Sequence, residues 1–365
     1  MTRMFCSPSK YIQGWGVLEE INKYAGILGG NPRIIAGNSA YNLLSETLRT
    51  AFAEAGMQYD IQKVTGECCE ETISGICDEI DAKENDVIIG LGAGKTIDMA
   101  KAVSHYKDLP LIIAPTAASS DAPCSSLSVL YTPDGVFDKY LFLKKNADII
   151  LVDSEVIAKA PVRLFVAGMG DALATYFEAR AVQRSGAKNQ VHELPTVAGY
   201  CLAEACYNNL LEKGIAARIT LEGGACTKAV EDIIETNTFL SGIGFESGGL
   251  GAAHAIQKGF TVAEETHKYL HGEIVAFCLL IQLLLEEAPM NEIQTIIEFN
   301  RSVGLPICLL DLGIADRNQD QIMAIAEKAC APGSTIHNMP FEVCAEDVFN
   351  AILAADTMGR RYTQR

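Results

Sequence analysis

Three residues in the second half of the chain have the types that hold a divalent metal: Asp171 in GMGDALATYFEA, His254 in ESGGLGAAHAI and His271 in HKYLHGEIVAF. One carboxylate and two imidazoles suit zinc or ferrous iron. They leave a coordination position open, and an open position lets a metal take part in chemistry as well as hold a fold. Each candidate lies beside glycine. Asp171 follows Gly168-Met169-Gly170, which reads as a helix start. His254 follows Gly248-Gly249-Leu250-Gly251 early in a helix, and His271 precedes Gly272-Glu273 at the head of an apolar helix. The 17 positions separating the two histidines exceed one uninterrupted helix face, so a loop, TVAEETHKY, must intervene. A helix N-terminus disfavours imidazolium, so both rings are expected to be neutral and able to ligate. Spacing alone is a weak signal, because a lone histidine is more often structural or at the surface, as His105 and His192 read. His267, four positions before His271, suits a third ligand, a donor supporting a ligand ring or a proton relay; the supporting role is favoured, with a surface role next. For His337 in TIHNMP, packing and site contact both stay open.

A second cluster lies in the first half. GLGAGKT (90–96) follows an apolar run and opens a helix, so its glycines would bring backbone close to a pyrophosphate at a helix N-terminus. The pattern is neither standard fingerprint. Only three residues separate Gly90 from Gly94, one short of a triphosphate-binding loop, and Lys95 stands where a GxGxxG pattern has glycine. Asp98 fits as a first-turn acid favoured by the helix dipole. The next loop, PTAASSDAPCSS (115–126), is crowded with hydroxyls. Two such loops at the carboxyl ends of neighbouring strands would line the ligand crevice of an open parallel sheet. The bland alternatives are a tight strand-to-helix turn without ligand and ordinary polar turn chemistry. A nucleotide-hydrolysing switch is a third reading, disfavoured by the short loop and the lack of a Walker B pattern.

The elements that must position these residues are legible in outline. PRIIAG (32–37), MQYDIQKV (57–64), NDVIIGLG (85–92), LPLIIAPT (109–116) and NADIILVD (146–153) read as short strands between amphipathic helices, which implies a parallel two-sided sheet. The segment 126–143 alternates around Pro133-Asp134-Gly135 and reads as a hairpin. After Pro161 strand signals nearly vanish and helical spacing takes over. The expectation is an α/β domain over 1–160 and an all-helical domain over 161–365. At 365 residues and 49% hydrophobic content the chain can bury two cores. The strongest apolar run, AFCLLIQLLLEEAP, is too short to span a bilayer, and the N-terminus lacks a signal pattern, so a cytoplasmic protein is expected. A net charge of −17 argues against nucleic-acid and anionic-membrane partners. The twelve cysteines are scattered without a CxxC pair and read as buried free thiols.

GLGAGKTIDMAKA, APTAASSDAPCSSLSVLYT, AGMGDALATYFEARA, GFESGGLGAAHAI, YLHGEIVAF and TIHNMP together resemble the glycerol dehydrogenases of the metal-containing (group III, iron-type) alcohol dehydrogenase family, over essentially the whole chain. The resemblance implies a dehydroquinate synthase-like plan: a Rossmann-like NAD-binding α/β domain, a helical metal-binding and substrate domain, and a cleft between them for NAD and metal. By motif, Asp171, His254 and His271 resemble the zinc ligands, and Gly94 and Lys95 the pyrophosphate-binding turn. Thr116, Ser119, Ser125, Leu127 and Tyr131 resemble the nicotinamide-side contacts, and Asp121 the residue that contacts glycerol. Two positions depart from the family. Iron-type members have histidine four residues after the metal-binding aspartate, where this chain has Thr175; that favours zinc, with iron as the alternative. Asn38 stands where glycerol dehydrogenases usually have the aspartate that binds the adenosine ribose, which keeps NAD as the expected cofactor but weakens discrimination against NADP. The implied activity is oxidation of glycerol and related 1,2-diols by NAD, with Asp121 orienting a hydroxyl and His267 in a proton relay. The implied assembly is a homo-oligomer, as an octamer in the family. A 2-hydroxy-acid dehydrogenase and phosphate-handling relatives are the alternatives; both need cations that the motifs lack.

Overall fold

PRIIAG, VIIGLG, LIIAP and IILVD are almost wholly apolar and buried, so both faces of each must be covered by other elements. They are the four inner strands of a six-stranded parallel sheet in a computed structural model that describes residues 1–363. In chain order this α/β unit, Cys6–Ala160, comprises β1 (Lys10–Gly14), α1 (Ile21–Leu28), β2 (Pro32–Gly37), α2 (Asn38–Glu54), β3 (Asp60–Val64), α3 (Glu70–Lys83), β4 (Val87–Gly92), α4 (Gly94–Lys107) and β5 (Leu111–Pro115). It continues through a hairpin of β6 (Leu127–Tyr131) and β7 (Phe137–Phe142) to β8 (Ile149–Asp153) and the short α5 (Ser154–Ala158). The sheet order is β1-β8-β5-β4-β2-β3. The chain runs from β2 outward to β3 and then returns across β2 to β4, so the direction of winding reverses between β2 and β4. The crevice at such a reversal, outside the carboxyl ends of the strands, is where open α/β sheets take ligands. Pairing is in register there: Ala36 faces Leu91, and Gly92 faces Pro115.

One strand was not foreseen. KYIQG is half-buried and short, yet β1 pairs in parallel with β8 as the sheet's edge. The hairpin forms as expected, its turn closed by Thr132 N–H on Val136 O at 2.8 Å and Gly135 N–H on Thr132 O at 2.9 Å.

The second unit, Met1–Phe5 with Pro161 onward, is helical. Its helices are α6 (Val162–Ser185), α7 (Val197–Glu222), α8 (Lys228–Glu235), α9 (Ser241–Gly248), α10 (Ala252–Phe260), α11 (His271–Leu285), α12 (Met290–Val303), α13 (Gln319–Ala329) and α14 (Ala345–Thr363). A π-helical turn, Thr236–Leu240, joins α8 to α9. Residues 272–283 of α11 are all buried, so this helix is the unit's core and is apolar all round. No helix among the described residues is long and apolar enough to cross a membrane. None of the twelve cysteines is in a disulfide among the described residues.

Candidate metal centre

Asp171 sits in the middle of α6, not at a helix start. Gly170 before it serves close packing instead of a turn. A Cβ on Gly170 would lie 2.3 Å from Gly272 O, and one on Gly272 would lie 1.9 Å from Ala167 O. The first turn of α11 therefore rests backbone to backbone on α6, and this contact sets His271, the first residue of α11, beside Asp171. His254 is the third residue of α10, as expected, and a 3₁₀ turn at Glu264–Lys268 makes the connection to α11. Both imidazoles present Nε2 to one carboxylate oxygen: each lies 3.3 Å from Asp171 Oδ1. The rings tilt together with centroids 5.4 Å apart. Their three ligand atoms lie within 4.8 Å of one another. Ligands roughly 2.0–2.2 Å from a tetrahedral ion are about 3.3–3.5 Å apart, so the two separations from Asp171 Oδ1 match those expected around a zinc-sized ion. Asp171 is 1% exposed, His254 12% and His271 43%, so the site is closed at the carboxylate and open at His271.

A residue that the sequence reading did not single out completes the cluster. Glu178, two turns along α6 from Asp171, is fully buried. Its Oε2 lies 2.5 Å from His254 Nδ1, and its Oε1 accepts the backbone N–H groups of Gly251 at 2.9 Å and His254 at 3.0 Å. Burial disfavours charge on the His254 ring, yet Glu178 and Asp171 outweigh it and hold its pKa well above the ordinary histidine value. Burial likewise disfavours charge on Asp171, but His271 and His254 prevail and hold the carboxyl well below the usual range. At His254 the two adjacent carboxylates oppose the effect of the helix N-terminus. The pocket has a strong demand for positive charge. Thr175, four residues after Asp171, turns away to α9, where its hydroxyl lies 2.9 Å from Ser241 Oγ.

His267 stands apart from the three. It is exposed, and its Nε2 bonds Thr261 O at 3.0 Å. His337 is also exposed, with Nε2 3.3 Å from Ala331 O. The TIHNMP segment acts through other residues: Thr335 Oγ1 donates to Gly251 O and Asn338 Nδ2 to Leu250 O, both at 2.8 Å, and so they hold the entry to α10.

In the α/β unit the expected cofactor residues gather at the carboxyl ends of β2, β4 and β5. Asn38 is exposed at the start of α2, and Gly94 and Lys95 open α4. Nothing lies within 4 Å of a Cβ built on Gly94, so the space before this helix N-terminus is open to a ligand. The two turns touch: a Cβ on Gly37 would lie 2.7 Å from Thr96 Oγ1. Lys95 pairs with Glu67 at 2.5 Å. Thr116 is tied to the glycine turn by its N–H on Gly92 O at 2.9 Å, while Ser119 and Asp121 are half-buried in the loop that follows. Leu127 and Tyr131 lie on β6, and burial pushes the Tyr131 hydroxyl up to about 12. Ser125 and Asp98 face inward. Burial pushes the Asp98 carboxyl up to about 7, against the opposing charge of Lys101. Lys101, only 1% exposed, was not anticipated; its Nζ donates to Ser125 Oγ at 3.1 Å, to Leu127 O at 3.0 Å and to Ala122 O at 2.5 Å, and so fastens the hydroxyl-rich loop to α4.

Residues 8–154 match the family described as iron-containing alcohol dehydrogenase. The chain is 45% identical to a glycerol dehydrogenase of Escherichia coli O6:H1 over 364 residues, covering 100% of this chain and 99% of the other. It is 42% identical to a glycolaldehyde reductase of Halobacterium salinarum, covering 100% of both. The crystal structure of a probable glycerol dehydrogenase from Sinorhizobium meliloti 1021 superposes with a TM-score of 0.93 at 42% identity, over 98% of this chain and 99% of that one.

Proposed function

The chain belongs to the iron-containing alcohol dehydrogenase family, and from that membership we propose that it is an NAD-dependent glycerol dehydrogenase, converting glycerol and related 1,2-diols to the 2-oxo product with NAD as hydride acceptor. The observation that carries this reading is the convergence of Asp171, His254 and His271, whose ligand atoms lie within 4.8 Å of one another, in a chain alike over its full length to glycerol dehydrogenases. Hydride leaves C2 of glycerol for the nicotinamide and the C2 hydroxyl loses its proton, giving dihydroxyacetone and NADH. Asp171, His254 and His271 would hold the metal, with zinc favoured over iron because Thr175 offers no fourth ligand. When bound, such an ion supplies a Lewis acid that makes a neutral hydroxyl easier to ionise.

The chain's own residues supply position. Asp171 and the two rings fix where a hydroxyl oxygen sits. Asp121 orients a second hydroxyl, and its charge disfavours a carboxylate substrate, which favours a polyol over a 2-hydroxy acid. The backbone of Gly94 and Lys95 receives the pyrophosphate, Asn38 hydrogen-bonds the ribose, and Thr116, Ser119, Leu127 and Tyr131 flank the nicotinamide side. Asp98 and Ser125 support that side from within. His267, at the surface of the connection between α10 and α11, remains in the proposal as a proton relay to solvent.

The test is metal analysis of the purified protein coupled to NADH absorbance with a panel of diols, 2-hydroxy acids and glycolaldehyde. Glycerol-dependent NAD reduction that disappears with the metal and returns with zinc is expected. Full activity with the metal demonstrably absent, or no turnover of any diol by the zinc-loaded protein, overturns the reading.

A further inference from the structure

Glu178 is a buried carboxylate with no lysine or arginine partner among the described residues. Both of its oxygens are engaged. Oε1 takes two backbone N–H groups at the head of α10, from Gly251 at 2.9 Å and His254 at 3.0 Å, and Oε2 faces His254 Nδ1 at 2.5 Å. A carboxylate accepts only, so the ring nitrogen facing it must carry hydrogen. The other nitrogen, Nε2, is then the one left to ligate an ion, and it is this atom that lies 3.3 Å from Asp171 Oδ1. One side chain therefore holds both the backbone and the ring of the same residue. It does so from the stripe of α6 that carries Asp171, since seven residues separate the two carboxylates, close to two helical turns.

The second observation concerns charge. Asp171 and Glu178 place two carboxylates, each at most 1% exposed, against the one imidazole of His254. Buried charge must be compensated locally, and a single divalent ion does so without a proton or a further side chain.

Resting on the metal reading above, we infer that Glu178 is the positioning residue of the metal centre: it locks His254 in the tautomer and orientation that present Nε2 to the ion, and it provides the second negative charge that matches a divalent cation. Glutamine at 178 cannot replace it. An amide has one acceptor oxygen, so either the backbone N–H groups or the ring loses its partner. With the oxygen on the backbone, the amide NH₂ faces Nδ1 and drives the ring proton to Nε2, the ligating atom. Aspartate keeps charge and both acceptors but falls one methylene short.

The experiment measures Zn²⁺ dissociation constants by chelator competition for the full-length protein and for Glu178→Gln and Glu178→Asp. The ligand-field spectrum of the Co²⁺-substituted proteins is recorded, and far-UV circular dichroism without metal checks the fold. Loss of a partner to a ligating histidine costs about 10–100-fold in metal affinity. The expected order is wild type tightest, Glu178→Asp intermediate and Glu178→Gln weakest, with an altered cobalt spectrum in Glu178→Gln. If Glu178→Gln does not fold, Glu178→Asp carries the test and is expected to bind Zn²⁺ at least several-fold more weakly than wild type. Zn²⁺ affinity within threefold of wild type in Glu178→Asp and in any folded Glu178→Gln, with an unchanged cobalt spectrum, overturns the inference while leaving the metal reading intact. Wild-type protein that takes up no Zn²⁺ overturns both.

Discussion

Asn38 and Asp98 show how single side chains set different properties of the α/β unit. Asn38 stands exposed where β2 ends and α2 begins. An asparagine there offers a hydrogen bond to a ribose hydroxyl but no repulsion toward a 2′-phosphate. Asn38→Asp is expected to raise the ratio of kcat/KM for NAD to that for NADP by about tenfold or more, since it adds a like charge near the phosphate; an unchanged ratio removes Asn38 from the cofactor site. Asp98 behaves differently. Burial raises its carboxyl to about 7 in the folded chain, above the ordinary value of 3.8. The folded state therefore holds the proton more tightly than the unfolded one. Its contribution to stability is complete below the ordinary value and is lost as pH climbs toward 7. Replacing it by the neutral Asp98→Asn should improve stability relative to wild type by roughly 1–3 kcal/mol between pH 4 and pH 8, read by urea unfolding across that range. A difference that stays flat with pH would mean that Asp98 is ionised in the fold.

At the scale of elements, the two glycine clusters do opposite jobs. In α6 and α11 glycine permits contact: any Cβ on Gly272 must push Ala167 O away from 1.9 Å. Gly272→Ala should cost roughly 3 kcal/mol or more of unfolding free energy, and zinc affinity should fall with it because the head of α11 carries His271. In the turn before α4 glycine leaves room: a Cβ on Gly94 meets nothing within 4 Å. Gly94→Ala should leave stability within about 0.5 kcal/mol of wild type yet weaken NAD binding, measured by fluorescence titration. Equal stability losses in the two variants would contradict this division. The same contrast explains what was legible. Gly-Met-Gly before Asp171 reads locally as a helix start, because glycine usually interrupts a helix; only the facing backbone of Gly272 explains glycine in mid-helix. The inner strands were plain from their unbroken apolar runs, while β1 was hidden because an edge strand is half-solvated and carries no such run.

On the scale of the whole molecule, the candidate ligands all lie in the helical unit, which begins at Pro161. Ion binding adds folding free energy to the state that contains the site, about 2.7 kcal/mol at a hundredfold excess over the dissociation constant. Removing metal with a chelator should lower the unfolding temperature of the helical unit by about 5–10 °C and leave the α/β unit nearly unchanged, which calorimetry resolves as two components. A shift of equal size in both would show that the units unfold as one. The change from strand-and-helix alternation to helices alone and the ordered blocks of motif were readable from the chain because they are written in contiguous stretches. Glu178 and Lys101 were not, because a carboxylate or an ammonium declares its task only when its partners, far away in sequence, are seen around it.

The packing of Thr175 limits which side chains its position admits. Its methyl lies where α9 is so close that a Cβ on Gly244 would stand 2.7 Å away, and its hydroxyl is engaged by Ser241. A histidine at this position has nowhere to go unless α9 retreats. A larger ligating side chain at 175 is therefore expected to need a compensating change in α9 before it can be accommodated.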